Sequence, residues 1–407
     1  MRTVTVRTDE AAAGTSAGTA PGTVEGPGAE QESVRRLVDT ITGTWRAQAL
    51  YAAVALGLPD HLAGRPGGLT AAALADAAGA DADALARLLR LLAALDVVET
   101  GPQAGRSAGA GEGAGHGPGE AEGHGGGEAH GGGGGGGGGG GTYRLTAAGE
   151  LLRTDAPRSL AAMVRIYGEE FHRAWGAVVP AVRTGTSGFQ HAFGKTLHEY
   201  LRDPAAAGRF QRAMNAGNVF FPDVLDAYDF GGARHVVDVA GGSGMLLGTV
   251  LAARPGLRGT VVDQPHMVPV ATAHLDAAVG PGRYEAVAGD VFTGAGLPRG
   301  ADVYLLSRVL QDWDDAHCTT LLSHLREALA AGDRPGDARL LVLERVVPEP
   351  GAPRLLPLLY DLHLLMAAGG RERDLAGYRA VLAAAGLRLE SVHELSLETS
   401  LLVAAVA

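Results

Sequence analysis

The sequence is poor in cysteine, in charge and in long apolar runs, and each scarcity excludes a class of protein. Cys318 is the single cysteine among 407 residues, which excludes an internal disulfide and a thiolate zinc cluster. Only 19% of the residues are charged, and the formal net charge of -11 repels polyanions, which disfavours a nucleic-acid partner. No run approaches the roughly 18 apolar residues of a membrane-spanning helix. Since the N-terminus also lacks an apolar signal segment, the expected location is the cytoplasm.

Two stretches hold too few large apolar residues to form a packed core. Residues 1–30 are mainly Gly, Thr, Ala, Pro and Glu, and residues 101–141 are mainly Gly, Ala, Glu and His and end in eleven consecutive glycines. Such composition does not offset chain entropy, so it predicts a disordered tail and a flexible insertion. The insertion contains three histidines that could collect a metal, His116, His124 and His130. A solvated loop is the simpler interpretation, and no metal site is predicted.

Residues 31–154 show the order helix, turn, helix, strand, strand, which is typical of a winged helix. Thr70 and either Asp81 or Asp83 are expected to cap helices in this part. The insertion then lies between the two strands as an enlarged hairpin loop. A winged helix raises DNA binding as an alternative.

The helix in the DNA-recognition position argues against that alternative. It offers only Arg87 and Arg90 among leucines and alanines, whereas DNA readers need basic residues that reach phosphates. Packing or dimerisation is the preferred interpretation, and a regulator that senses a small molecule is the weaker one.

Residues 155–230 are predicted to be connecting helices rich in aromatics and methionine, Met214 among them. Their apolar residues form either ordinary core or the roof of a pocket for a flat ligand, and the sequence favours neither. From residue 231 to residue 407 five apolar runs of strand length alternate with helical or loop segments. This alternation predicts an α/β, doubly wound and mostly parallel Rossmann-like sheet, with ligands bound outside the carboxyl ends of the strands.

Three acids follow three successive predicted strands. Asp238 precedes a glycine-rich turn, Asp263 ends the second strand, and Asp290 follows the third strand, two residues before Phe292. Asp238 can brace the turn or face a cationic amino-acid group, and the glycines let a ligand approach the backbone. Asp263 can accept both hydroxyls of a ribose, while Asp290 can accept from an adenine amino group. The ligand described is an adenosine without a phosphate chain, which fits S-adenosylmethionine.

These motifs resemble the S-adenosylmethionine-dependent O-methyltransferases of the plant caffeate and flavonoid type, and most closely the bacterial branch that modifies polyketides and other aromatic natural products. The segments that carry the resemblance are VVDVAGGSG, VVDQP, AGDVF, LLSRVLQDWDD and LHLLMAAGGRERD. The likeness covers roughly residues 32–100 and 142–407. It implies a winged-helix-like dimerisation domain, a Rossmann-like catalytic domain and a homodimer in which each subunit helps to wall the other's pocket.

The resemblance also implies roles for individual residues. The residues implied to bind the cofactor are, in chain order, Asp238, Gly241, Gly242, Gly244, Asp263, Asp290, Val291, Phe292 and Ser307. The candidate substrate contacts are Met214, Trp313, His363 and Arg371. The implied activity is methyl transfer to a hydroxyl of a small aromatic or polyketide-type product. Ala240 replaces the first glycine of the family motif, a change expected to cost little.

The motif after the fourth strand departs from the family pattern. The family usually has His-Asp-Trp-Asp-Asp, with the histidine as general base, whereas residues 311–315 are Gln-Asp-Trp-Asp-Asp. Gln311 cannot take up a proton, but its carbonyl oxygen can orient a hydroxyl. General-base assistance is typically worth about 10²–10⁴-fold, and alignment can supply as much. We therefore expect Gln311 to position an acidic phenol for methylation by proximity.

Three further residues belong to this hypothesis, and one alternative remains. Asp312 lies in the same motif, and Glu344 and Glu372 match positions that orient the family's histidine, so they are expected to hold the Gln311 amide or solvent.

His363 is a substitute base, a substrate contact or a satisfied helix residue. The alternative keeps the fold and cofactor but changes the chemistry to N- or C-methylation, hydroxylation, decarboxylation or a pericyclic reaction.

Overall fold

The computed structural model describes residues 27–101, 141–334, 336–349, 351 and 354–407. They divide into two compact units, Val38–Ala161 and the described part of Met1–Leu37 with Ala162–Ala407. Most of the predicted tail, up to residue 26, lies outside the described residues. So do residues 102–140 of the predicted insertion, including its histidines.

The first nine elements are α1 (Pro27–Ile41), α2 (Gly43–Ala55), α3 (Leu58–Leu62), β1 (Leu69–Thr70), α4 (Ala71–Ala78), α5 (Ala82–Ala94), β2 (Val98–Thr100), β3 (Thr142–Leu145) and α6 (Ala147–Glu150). The strands pair antiparallel in the order β1-β3-β2, which completes the winged-helix order. Thr70 caps α4 by accepting from the Ala73 amide, and Asp81 rather than Asp83 caps α5. The helix α1 begins inside the stretch predicted to be disordered, with Glu30 in its first turn, where a carboxylate favours helix formation.

Strands β2 and β3 confirm the predicted hairpin. Glu99 pairs with Arg144 and Thr100 with Tyr143. Beyond the last pair, the Gly101 amide donates to the Thr142 carbonyl oxygen at 2.7 Å. The two ends of the insertion are therefore joined by hydrogen bonds.

The apolar face of α1 and the start of α2 is exposed in the single chain. Leu37, Ile41 and Trp45 have exposed fractions of 65%, 68% and 66%. The prediction of helices from the apolar spacing is confirmed, but the described residues of this chain do not cover that face.

The larger unit begins with helices α7 (Ala161–Gly168), α8 (Glu170–Trp175), α9 (Val178–Thr184), α10 (Gly188–Phe193), α11 (Leu197–Tyr200), α12 (Pro204–Ala216) and α13 (Val224–Ala227). Both interpretations of their aromatics hold, for different residues. Phe189 is fully buried and stacks on Phe193 at a centroid distance of 4.2 Å, whereas Phe171, Met214 and Phe221 also line a cavity.

The remaining elements are β4 (His235–Val239), α14 (Met245–Ala253), β5 (Arg258–Asp263), α15 (Val268–Val279), β6 (Tyr284–Ala288), β7 (Val303–Ser307), α16 (Asp315–Ala330), β8 (Arg339–Val347), α17 (Leu355–Ala367), β9 (Arg373–Asp374), α18 (Leu375–Ala384), β10 (Leu387–Glu394) and β11 (Thr399–Val406). The main sheet has the order β10-β11-β8-β7-β4-β5-β6. The five predicted strands are parallel, as expected, while β10 and β11 add an antiparallel edge.

The strand order fixes the layout of the site. Strands β6, β5, β4, β7 and β8 lie side by side, and the chain crosses from β6 over to β7, so the strand order reverses between the neighbours β4 and β7. Ligands bind at such a switch point in doubly wound folds. Among the described residues, no helix has the length and apolar character needed to cross a membrane.

Candidate active site

A cavity of about 440 Å³ opens at the carboxyl ends of the parallel strands. Nearly all the predicted cofactor residues line it, together with Met214, Gln311, Asp312, Trp313 and His363. Two predicted contacts, Gly244 and Arg371, are not among its lining residues.

The glycine-rich turn is braced from below by Asp238. This carboxyl group is buried and accepts from the Leu247 amide in the first turn of α14 at 3.2 Å. Burial raises the pKa of Asp238 to about 7. A side chain at Gly241 would lie within 2.6 Å of that carboxyl group, so glycine is required for the close approach. Of the two roles predicted for Asp238, the structure realises the brace.

The carboxylate at the end of β5 is tied to the same turn. Asp263 accepts from the Gly242 amide at 2.7 Å and from the Gln264 amide at 2.6 Å. Both oxygens keep a second lone pair, and the side chain lines the cavity. Asp263 is therefore held rigidly while it remains able to accept further hydrogen bonds.

An aromatic pair forms the wall beyond β6. Asp290 accepts from the Phe292 amide at 2.8 Å, and the Phe292 ring packs edge-on against Trp313 at a centroid distance of 4.7 Å. Val291 also lines the cavity. This wall joins the predicted adenine residues to the motif that follows β7.

Four buried side-chain atoms of cavity-lining residues have no partner among the described residues, Ser307 Oγ, Asn218 Oδ1, Gln311 Oε1 and Arg345 Nε. Neutral hydrogen-bonding atoms orphaned in this way fit a ligand with polar groups of its own. Ser307 was predicted from the family likeness, whereas Asn218 was missed.

Sequence reasoning also missed Gln211 and Asn215. Gln211 Nε2 and Ser243 Oγ both donate to Asn215 Oδ1, at 2.9 and 3.1 Å. The signal was available, because Gln211, Asn215 and Asn218 are spaced by four and three residues and so share one side of α12 and its end.

The backbone at Ala240 differs from expectation. Its φ of 53° lies in the left-handed region, which costs a residue with a Cβ atom about 1–2 kcal/mol. The replacement of the family glycine is therefore more costly than predicted.

Gln311 presents an unpaired acceptor. Its side chain lies beside the Asp312 carboxyl group and opposes the rise in the pKa of that group, while its Oε1 atom is buried and has no partner among the described residues. Burial raises the pKa of Asp312 to about 6. The Arg371 amide donates to the Gln311 carbonyl oxygen at 2.8 Å, and a Cβ atom at Gly370 would collide with that oxygen. The segment at residues 370–371 thus fixes the backbone of Gln311.

Neither Glu344 nor Glu372 hydrogen-bonds the Gln311 amide, which corrects the first of the two predicted alternatives and leaves solvent as their predicted partner. Glu344 Oε1 accepts from the Val309 and Leu310 amides, each at 2.9 Å, and neither Glu372 oxygen has a partner among the described residues. Burial and nearby acids raise the pKa of Glu344 to about 8 and that of Glu372 to about 9.

His363 lies at the cavity as a hydrogen-bonded neutral imidazole. Its Nδ1 atom accepts from the Trp175 indole at 3.1 Å, so Nε2 carries the proton. Burial lowers the pKa of His363 to about 4, and its ring stacks on Tyr167 at 5.1 Å. This environment makes His363 a donor rather than a base.

The two predicted contacts outside the cavity have structural explanations. Gly244 adopts φ +70° at the start of α14, and a Cβ atom there would lie 2.9 Å from Leu275. The exposed Arg371 side chain pairs with Asp315 at 2.8 Å. Gly244 is thus a packing residue, and Arg371 acts through its backbone.

Two arginines line the same cavity and were not predicted. Arg345 follows Glu344 on β8 and is buried, with its guanidinium carbon 3.7 Å from the centre of the Tyr360 ring. Arg308 follows β7 and donates to the Met214 carbonyl oxygen at 3.2 Å. Both lie on the side of the cavity away from Asp263 and Asp290.

Comparison with known proteins gives two family matches. The profile of the O-methyltransferase domain matches residues 175–388, and that of the O-methyltransferase dimerisation domain matches residues 38–111.

Individual relatives match over most of the chain. The 3-amino-4-hydroxybenzoate 4-O-methyltransferase of Streptomyces cremeus is 40% identical, over 91% of this chain and 89% of the relative. The phenazine-1-carboxylate N-methyltransferase of Pseudomonas aeruginosa is 35% identical, over 92% of this chain and 98% of the relative. The crystal structure of human N-acetylserotonin methyltransferase in complex with S-adenosylmethionine is similar with a TM-score of 0.74 and 27% identity, over 95% of this chain and 99% of that one.

Proposed function

Because this chain belongs to the family of S-adenosylmethionine-dependent O-methyltransferases, we propose that it methylates a hydroxyl of a small aromatic natural product that Gln311 orients. The family makes the chain a methyltransferase that uses S-adenosylmethionine. Its relatives include enzymes named for methylation at oxygen and at nitrogen. Oxygen is favoured because the 40% identical relative is named for a phenolic hydroxyl.

One observation carries the proposed role of Gln311. Its side chain lies beside Asp312, and its buried Oε1 atom has no partner among the described residues. A phenolic O–H that donates to this oxygen turns one lone pair of the hydroxyl away from Gln311, toward the rest of the cavity. A buried acceptor left unpaired costs about 1–3 kcal/mol, so a bound hydroxyl both gains orientation and removes this cost.

The remaining residues divide the cavity between cofactor and acceptor. Asp263 and Asp290, with Ser307 and Asn218, would hold the cofactor. When bound, S-adenosylmethionine supplies a methyl group activated by its positive sulfur. Asp312 keeps the Gln311 amide in place, and the neutral His363 donates from Nε2 without competing for the proton of the hydroxyl. The chain thus contributes alignment rather than proton abstraction, and the hydroxyl proton is released to solvent as the O–CH3 bond forms.

The test is methyl transfer from S-adenosylmethionine to a panel of phenols that includes 3-amino-4-hydroxybenzoate. A Gln311→Ala substitution should lower kcat/KM about tenfold, the value of one hydrogen bond. Gln190→Ala, on the exposed side of α10, is the matched control and should leave it unchanged. Equal kcat/KM values for wild type and Gln311→Ala on every phenol would contradict the orienting role.

A second candidate is methylation at nitrogen, which needs no phenolic proton to be removed and is named in a relative. The aminohydroxybenzoate probe carries both groups, so NMR of its product decides between them. Methylation on the amine alone would replace the oxygen proposal.

We also propose a homodimer. The matched dimerisation profile begins at residue 38, within the exposed apolar face at Leu37, Ile41 and Trp45. A second copy would remove that face from water. Light scattering after gel filtration should give twice the chain mass for wild type and the chain mass for the double variant Leu37→Glu, Ile41→Glu.

A further inference from the structure

Arg345 is a buried cation without an acidic partner. It is 4% exposed, its Nε atom has no hydrogen-bond partner, and it forms no ion pair within 4.0 Å among the described residues. Its guanidinium makes a cation–π contact with the Tyr360 ring. Desolvation of a charged group costs more than such a contact returns, so this contact alone does not compensate for the burial.

Arg308 adds a second cation beside it. Its backbone has φ 54°, in the left-handed region, and its side chain donates to Met214 but pairs with no carboxylate of the described part of the chain. A strained backbone at a cavity is typical of functional positions. Burial lowers the pKa of Arg308, and the charge of Arg345 lowers it further. The two guanidinium groups therefore lie in one region.

The sheet places this region opposite the cofactor residues. Arg308 follows β7 and Arg345 lies on the adjacent β8, whereas Asp263 and Asp290 follow β5 and β6. The arginines therefore lie at the acceptor half of the cavity, where Tyr167 and Tyr360 also line its wall.

The acids that interact electrostatically with these arginines are themselves buried. They are Asp312, Glu344 and Glu372, and burial raises the pKa of each. A raised pKa favours the neutral form of an acid, which offsets less of the positive charge. The acceptor half therefore has a net attraction for an anion.

We propose that Arg345 and Arg308 bind the carboxylate of the acceptor, so that the substrate is a hydroxylated aromatic carboxylic acid. A guanidinium fork matches a carboxylate with two parallel hydrogen bonds, and the tyrosine and imidazole rings suit a flat aromatic body. This inference rests on the proposed methylation of an aromatic hydroxyl. It adds that the carboxylate anchors the ring while Gln311 orients the hydroxyl.

The experiment compares acids with amides of the same shape. Calorimetry on the protein saturated with S-adenosylhomocysteine measures binding of 4-hydroxybenzoate and 1-hydroxy-2-naphthoate, and of their uncharged amides. At least one acid should bind ten or more times tighter than its amide, as charge-assisted hydrogen bonds predict. Arg345→Met should reduce this preference below threefold, and Arg308→Met should also reduce it.

The control is Arg339→Met, an arginine at the other end of β8 that pairs with Glu390. It should keep the wild-type preference, and unchanged affinity for S-adenosylhomocysteine shows that each variant is folded. Equal binding of acids and amides, an unchanged preference in Arg345→Met, or no acid binding at millimolar concentration would overturn the inference. If the wild-type protein does not bind S-adenosylhomocysteine, the proposed function is instead refuted. Efficient methylation of neutral phenols with no preference for acids would refute the carboxylate site alone.

Discussion

The two halves of the cavity treat buried polar groups in opposite ways. On the side of β4, β5 and β6, the carboxylates of Asp238, Asp263 and Asp290 each accept a backbone amide hydrogen. On the side of β7 and β8, Gln311 and Arg345 each have a buried polar atom without a partner among the described residues. The first half is held in one arrangement by the backbone itself. The second half depends on a ligand to complete its hydrogen bonds, which suits a site where the acceptor differs between relatives.

The largest effect should come from breaking the ordered half. Asp263→Ala removes the acceptor proposed for two ribose hydroxyls, and hydrogen bonds to charged groups are worth about 1.5–3 kcal/mol each. Calorimetric affinity for S-adenosylhomocysteine should fall by about 100-fold or more. Asp226→Ala, an exposed acid on α13, should bind as wild type does. Unchanged affinity in Asp263→Ala would remove the basis for assigning this half to the cofactor.

A smaller effect should appear in the pH dependence of kcat/KM, where the contribution of Asp312 can be measured. Burial raises the pKa of Asp312 to about 6. Its carboxyl group holds the Gln311 amide fully only when it is ionised. In wild type, kcat/KM should therefore fall as pH drops below about 6, because Asp312 takes up a proton. Asp312→Asn keeps an amide oxygen for Gln311 but cannot titrate, so this fall should be absent in the variant. The same fall in the variant would exclude this role for Asp312.

The carboxyl groups of the unsatisfied half should also change stability with pH. The folded pKa of Glu372, about 9, exceeds its ordinary value of 4.5, so the folded state holds this proton more tightly. Its contribution is fully present below about pH 4.5 and is lost as pH rises through 9. Tm should therefore decline less between pH 6 and 9 in Glu372→Gln than in wild type. Glu285→Gln, an exposed position on β6, should follow the wild-type curve.

The smallest effect should come from the one strained position of the ordered half. Ala240→Gly relieves the left-handed backbone and should raise the unfolding free energy by about 1 kcal/mol. The matched change Ala273→Gly, at an exposed site within α15, should lower it by about the same amount. Urea denaturation measures both. A loss of stability in Ala240→Gly would mean that the alanine side chain contributes packing that outweighs the strain.

The ordered half is also the half that sequence reasoning predicted well. Asp263 and Asp290 were found because alternating strands and helices fix which residues end a strand, and strand ends meet at one edge. Gly241 was found for a similar reason, since a turn beneath a ligand leaves no room for a side chain. These positions follow from local pattern and from the topology of a parallel sheet.

The other half depends on contacts between distant segments. Trp175 and His363 bond across 188 residues, and the pairing of Arg345 with Tyr360 depends on how α17 packs on β8. No period or motif encodes such contacts. Arg371 shows the same limit, because its position in the motif does not reveal that its side chain pairs with Asp315. The strands β10 and β11 were not predicted, although their pairing completes the edge of the sheet.

The hydrogen bond from Gly101 to Thr142 has a consequence for protein engineering. The chain leaves and re-enters the small sheet at adjacent points, so the length between them is decoupled from the fold. Each doubling of a closed loop costs only about 0.6 kcal/mol. Replacing residues 102–140 with a two-residue turn or a reporter domain would test whether the small sheet depends only on this closure. The first cavity-lining residue after the hairpin is Tyr167.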